Sequence, residues 1–294
     1  MSEVVALPRP HGLLDISRDY LQLSKARIVL MVLITTAAGM LFASSHPGWA
    51  LVINTLVGTA LVAAGTNALN QYVEREHDAR MRRTRLRPLP DGRISPKAAL
   101  LFSSAIAVMG TVYLGFAVNW ITAALGAFTL TSYIFVYTPL KRVSPICTLI
   151  GAVPGAIPPL MGWTAVTGSI GVGGWILFGI LFFWQLPHFM AISWIYREDY
   201  GRAGFAMLAV RDEKGLATAR EAVAYSVALL VVSILPTFFG LTGVRYLVGS
   251  ILAGLVMLGA SIVFLKSRNT GSARRLFMTS NIYLIVLMVL LVLH

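Results

Sequence analysis

Asn70, Glu74 and Asp78 stand four residues apart. Four residues advance an α-helix by about 400°, so successive members drift only about 40° around its axis. All three therefore share one face, with the two carboxylates roughly 6 Å apart along it. Like charges so placed repel mildly unless a cation joins them. Oxygen ligands of this kind suit magnesium, which takes one or two carboxylates together with phosphate oxygens. The run Met81-Arg82-Arg83-Thr84-Arg85-Leu86-Arg87-Pro88-Leu89-Pro90 follows directly. Its guanidinium forks match phosphate oxygens, and with the carboxylates they make a diphosphate site. The competing reading is a solvated helix end in which Glu74 pairs with nearby arginines. No Gly-x-x-x-x-Gly-Lys-Ser/Thr loop is present, which argues against a nucleotide-hydrolysing engine.

A second stretch, Tyr196-Arg197-Glu198-Asp199-Tyr200-Gly201-Arg202, again interleaves acids with bases. It could hold a second magnesium, or it could be an exposed ion-pair cluster. His188 lies within an apolar run, where an ionisable group is costly and points to function. Pro187 beside it should free backbone groups and kink the helix towards a cavity. The alternative is a neutral histidine bonded to a neighbouring helix. His77 falls inside the first motif, where exposure to solvent is the plain alternative, while His11, His46 and His294 have no chemical company. The segment Gly155 to Trp163, with Pro158 and Pro159, should break or kink its helix and permit close helix contact, or simply pack. Tyr133, Tyr137, Trp163 and Trp184 could line an apolar pocket and stabilise a cation by their ring faces. Cys147 is the one cysteine, which excludes an intramolecular disulfide and reads as packing.

The elements that position these residues belong in lipid. Hydrophobic residues make up 57% of the 294 and charged ones 12%, and mean hydropathy is +0.76, too apolar for a soluble chain. Nine apolar runs are long enough to cross a bilayer: 26–44, 49–73, 98–116, 119–137, 146–166, 172–195, 222–239, 246–265 and 276–293. The fifth, carrying Pro154, Pro158 and Pro159, is the weakest of the nine as a helix and could be shorter or broken. All of the 24 basic residues except Arg245 fall on one side of this arrangement. By the positive-inside rule the N-terminus is cytoplasmic and the C-terminus external. All twelve acids lie on that same side, although topology does not require it. The basic side is thus also the chemical side. A net charge of +12 is then explained by topology and anionic membrane lipid, and nucleic acid is set aside. Residues 1–25 read as a cytoplasmic arm with an interfacial helix near Leu13 to Leu23, without the apolar core of a signal peptide. Residues 26–294 read as a single transmembrane domain, with helices one to four and five to eight as a parallel pseudo-repeat and a ninth added.

These residues resemble the membrane prenyltransferase superfamily that includes 4-hydroxybenzoate polyprenyltransferase, and more closely its protoheme farnesyltransferase branch. The match spans Asp19-Tyr20, Lys25 to Arg27, the Asn70/Glu74/Asp78 helix, Met81 with Arg83-Thr84, and Arg87-Pro88-Leu89. It continues through Gly92 with Ile94-Ser95-Pro96, Tyr137-Thr138, Leu140-Lys141-Arg142, Gly155-Ala156, Pro158-Pro159-Leu160 and Gly162-Trp163. Beyond these come Gln185, Pro187-His188-Phe189, Asp199-Tyr200, Ala203-Gly204 and Met207-Leu208. The sequence departs from the pattern at Glu74, where many relatives have Asp, and at Ala26, Ala206 and Ala209, where prolines are usual. Ala203 stands where a carboxylate would complete the second acidic motif.

The resemblance implies an all-α membrane protein of about nine transmembrane helices around a central cavity, capped by cytoplasmic loops. It implies transfer of a farnesyl group from farnesyl diphosphate to heme b, giving heme O. Asn70, Glu74, Asp78 and Asp199 would hold Mg2+ as the catalytic centre. Arg83, Arg87, Lys141 and Arg142 would bind diphosphate, and His188 would contact heme. The topology and the lack of a transit-peptide pattern point to a bacterial cell inner membrane, with a eukaryotic organelle the weaker alternative, and a heme A synthase or a terminal-oxidase assembly partner could receive the product. Two other readings stay open: prenyl transfer to an aromatic quinone precursor, and a heme or lipid transporter gated by the acidic loops.

Overall fold

A computed structural model gives the architecture, and it describes residues 12–293. The first eleven residues of the N-terminal arm, with Glu3, Arg9 and His11, lie outside the described residues, as does His294.

Helix α1 (Leu13–Leu23) precedes α2 (Ala26–Ala43), α3 (Trp49–Asp78) and α4 (Pro96–Ala117). A single span then runs as α5 (Trp120–Thr131), a π-helical turn (Ser132–Tyr137) and α6 (Thr138–Leu140). Next come α7 (Cys147–Thr167), α8 (Gly171–Ile195) and two short helices, α9 (Arg197–Arg202) and α10 (Leu208–Arg211). The chain closes with α11 (Leu216–Phe238), α12 (Val244–Ser267) and α13 (Thr270–Val292). Nine spans among the described residues are long and apolar enough to cross a membrane.

The outer surface is apolar, as lipid demands: Phe116, Phe135, Val256 and Leu252 are all exposed. Small polar residues are buried instead. Thr55, Thr66 and Ser226 each donate to the carbonyl four residues back, which pairs these hydroxyls inside their own helices. Helices α2 and α7 pack together, α3 lies on α4, and α8 lies among α7, α11 and α13. Contact of α13 with α2 brings the first and last spans together.

The fifth span takes the packed, continuous alternative. α7 continues unbroken from Cys147 to Thr167 through all three prolines. Its glycines bring it into backbone contact with α2: a Cβ on Gly162 would lie 2.0 Å from the Thr36 carbonyl oxygen, and one on Gly39 would lie 2.1 Å from that of Pro159. α8 likewise runs on through Pro187.

Candidate active site

α3 carries its polar face to one end of the bundle. Asn70, Glu74 and Asp78 are 1%, 5% and 1% exposed, so this is no solvated helix end. Each meets a different cation. Lys25 Nζ donates to Asn70 Oδ1 at 2.9 Å, Lys141 Nζ to Glu74 Oε1 at 2.7 Å, and Arg87 to Asp78 Oδ2 at 2.6 Å. Three cations thus surround two carboxylates, an excess that favours an anionic ligand.

Loops and turns fix the three cations. Thr84 donates to the Asp78 carbonyl at 2.8 Å and folds the arginine run back over the end of α3. Arg93 ties that loop to α1 through Asp19 and, at 2.8 Å, to the Leu86 carbonyl. Lys25 is the N-cap of α2 with φ 53°, a left-handed conformation that costs a non-glycine residue about 1–2 kcal/mol. Gln71 stabilises that corner by donating to the Leu23 carbonyl at 2.6 Å. Burial first, and then the Arg87 guanidinium, bring the Lys25 ammonium down to about 7, against the pull of Glu74. Burial opposes the charge of Lys141 as well, yet Glu74 beside it holds its pKa well above the usual lysine value. The Lys141 ammonium also lies 4.4 Å above the Tyr137 ring.

The π-helical turn sets Asn70. Thr138 donates its hydroxyl proton to the Tyr133 carbonyl at 2.8 Å, five residues back. A hydroxyl has one proton, so its oxygen must accept from Asn70 Nδ2, 3.2 Å away. Lys25 can only donate, which independently turns Asn70 Oδ1 towards it. The amide orientation is therefore determined from both ends.

The second acidic stretch meets the first. Arg83 lies over the Tyr196 ring at 4.5 Å and 3.4 Å from the Tyr200 hydroxyl. Asp199 pairs with Arg202 and lies 3.4 Å from the Arg82 backbone nitrogen. His77 is not free in solvent: its Nδ1 donates to the Ala203 carbonyl at 2.7 Å, and the ring stacks on Phe205 at 5.3 Å. Met81, Cys147, Phe205 and Met207 form the apolar cluster beneath this junction, which gives Cys147 its packing role. Arg142 is exposed, 3.4 Å from the Val73 carbonyl, and His188 lies between α8 and α13, bonded to Ser280 at 2.8 Å.

Metal fit can be judged from the oxygens present. Asp78 Oδ1 is buried and has no hydrogen-bond partner. Such an orphan acceptor costs free energy unless a cation meets it, and the neighbouring amide and carboxylate oxygens are hard donors suited to magnesium. The residues fit, although among the described residues no three His, Cys, Asp or Glu side chains already converge. Sequence reasoning passed over Lys25, Thr138 and His77 as site residues. Only the left-handed corner, the π turn and the loop junction reveal them.

The chain belongs to the UbiA prenyltransferase family, whose profile matches residues 32–285. It is 44% identical over 277 residues to a protoheme IX farnesyltransferase of Solibacter usitatus (strain Ellin6076), covering 91% of this chain and 95% of that one. A protoheme IX farnesyltransferase of Koribacter versatilis (strain Ellin345) is 40% identical, with 100% and 98% covered. In fold, a digeranylgeranylglyceryl phosphate synthase superposes with a TM-score of 0.79 at 20% identity, over 94% of this chain and 97% of that one. A UbiA homolog from Archaeoglobus fulgidus bound to GPP and Mg2+ gives 0.67 at 15% identity, over 93% and 99%.

Proposed function

We propose that this protein transfers the farnesyl group of farnesyl diphosphate to a vinyl group of heme b, with addition of water, giving heme O and diphosphate. The observation that carries the acceptor is the near full-length likeness to protoheme IX farnesyltransferases at 40–44% identity. Asn70, Glu74 and Asp78, with Asp199 from the second loop, are the proposed magnesium ligands. Magnesium bound there would offset negative charge on the leaving diphosphate.

The chain's own part is electrostatic. Lys25, Lys141 and Arg87 stand around the carboxylates, Arg83 stands where the two loops meet, and Arg142 stands at the rim. They would bind the diphosphate and stabilise it as the farnesyl C1–O bond breaks and the oxygen keeps the electron pair. The allylic cation left behind needs a pocket that excludes water, and Tyr133 and Tyr137, in edge contact at 4.9 Å, offer ring faces beside Lys141. The terminal vinyl carbon of heme b bonds to C1. Water adds to the resulting cation next to the porphyrin ring and loses a proton, leaving a hydroxyfarnesylethyl group. In this reading the diphosphate end is cytoplasmic, the membrane is a cell inner membrane, and a heme A synthase or oxidase-assembly partner takes the product.

Purified protein given heme b, farnesyl diphosphate and magnesium is expected to yield a heme of higher mass by mass spectrometry. Transfer to 4-hydroxybenzoate alone would overturn the acceptor. Heme or lipid moved across vesicles with no diphosphate released would favour a transporter.

Thr138→Val keeps the shape of the side chain and removes the acceptor that orients Asn70. It is expected to raise the magnesium concentration needed for half-maximal turnover by about 10- to 100-fold, as loss of such supporting bonds does elsewhere. Thr138→Ser should stay near wild type. Equal magnesium titrations for Val and Ser would show that the hydroxyl does not position the amide.

A further inference from the structure

Arg83 is a cation held without an anion. In the loop that folds back over the end of α3, Arg87 pairs with Asp78, and Arg93 pairs with Asp19 and Asp91. Among the described residues no carboxylate pairs with Arg83. Its guanidinium lies instead over two rings of the second acidic stretch, 4.5 Å from the Tyr196 centroid and 5.5 Å from that of Tyr200. One of its nitrogens also donates to the Tyr200 hydroxyl at 3.4 Å. A ring face attracts a guanidinium through its quadrupole but carries no net charge. It therefore orients the fork without neutralising it. A carboxylate in the same place would orient it too, and would then compete with any phosphate oxygen for the same donors.

The rings are themselves held from the first motif. The Tyr200 backbone N–H donates to the Tyr196 carbonyl at 3.0 Å, which sets the two rings one turn apart. The Tyr200 ring packs on Phe205 at 6.0 Å, and the buried Phe205 ring stacks on His77 at 5.3 Å. A carbonyl can only accept, so the 2.7 Å contact fixes His77 Nδ1 as donor to Ala203 and pins this stretch to α3 beside Asp78. A solvated ion-pair cluster needs none of this support. The first motif thus fixes the second stretch, and the second stretch fixes an arginine of the first motif's own loop.

We propose that Tyr196 and Tyr200 are positioning residues that keep the Arg83 guanidinium oriented and unneutralised for the diphosphate. The second stretch then serves the site through its rings, besides the carboxylate of Asp199. This rests on the diphosphate reading given above and adds to it the groups that set one of its cations.

The test uses the full chain in detergent and reads the affinity for inorganic diphosphate with magnesium by calorimetry. Tyr196→Phe is the reference, and fluorines are then added to that ring one at a time, which drains its quadrupole and nearly keeps its shape. Affinity is expected to fall with each fluorine, by about 2- to 5-fold across the series, while the thermal midpoint stays level. In an Arg83→Gln background, where Lys25, Lys141 and Arg87 still bind the anion, the same series should be flat. A ring that only packs would not tie its effect to Arg83. No slope with Arg83 present, a slope that persists in Arg83→Gln, or a midpoint that falls in step with affinity would each overturn the assignment. If the chains fluorinated at 196 do not fold, the same series at Tyr200, the second ring over Arg83, is read by the same criteria. Wild-type protein that binds no diphosphate would remove the diphosphate reading itself, which separates the two failures.

Discussion

Asp78→Asn is expected to lower farnesyl transfer by about 100- to 1,000-fold, the scale on which a preorganised charge contributes to a transition state. Asp78 is 1% exposed, and its two oxygens differ. Oδ2 holds Arg87 at 2.6 Å, and Oδ1 is buried without a partner. Asparagine keeps the size of the side chain but removes the charge that would draw a cation to Oδ1. It also leaves the Arg87 guanidinium facing a neutral amide. Substrate would still enter, because Lys25, Lys141 and Arg83 remain. The loss should therefore fall on kcat more than on KM for farnesyl diphosphate, and added magnesium should not restore it. Initial rates across a magnesium series measure this directly. Wild-type kcat in Asp78→Asn would remove the carboxylate from the reaction.

That Asp78 could be singled out beforehand reflects what a sequence records. A helix period of about 3.6 residues aligned Asn70, Glu74 and Asp78 without reference to any other part of the chain. Acids sharing the basic side pointed to the end where the site is proposed. The apolar run stops at residue 73, but the four-residue spacing carries the helix on to Asp78, where α3 ends. Its last turn is covered by protein rather than by lipid, so hydropathy cannot mark its end. The prolines of α7 left that helix's continuity open for a related reason. Proline removes one donor and crowds one carbonyl, but α2 approaches so closely at Gly39 and Gly162 that packing holds the helix continuous. The π turn at Ser132–Tyr137 has no signature in the run of residues; its hydroxyl bond forms between Thr138 and the Tyr133 carbonyl and faces Asn70. Lys25 becomes a site residue only through its left-handed backbone and a contact 45 residues away in sequence.

Glu74 and Lys141 form the other contact with a large expected effect, and here stability and activity should part. Their side chains are 6% and 12% exposed and meet at 2.7 Å. Breaking a buried pair by removing one partner costs about 3–5 kcal/mol, because an uncompensated charge is left inside. Glu74→Gln and Lys141→Met should each lower the thermal midpoint in detergent markedly. In Glu74→Gln the stranded charge is the ammonium, close to the cations Lys25 and Arg87. In Lys141→Met it is the carboxylate, which Asp78 already crowds on the same helix face. Removing both leaves no stranded charge, and replacing a buried ion pair with neutral groups is often close to neutral. The double variant should therefore recover much of the lost midpoint. Turnover should not recover, since both a proposed magnesium ligand and a proposed diphosphate cation are gone. Unfolding midpoints and farnesyl transfer measured on the same four proteins form a double-mutant cycle with two readouts. A double variant no more stable than the worse single would mean that the two charges do not depend on each other. Recovered turnover would mean that the pair serves the fold alone. Stability restored without activity is the pattern expected of two charges that neutralise each other at rest and are both needed by the diphosphate.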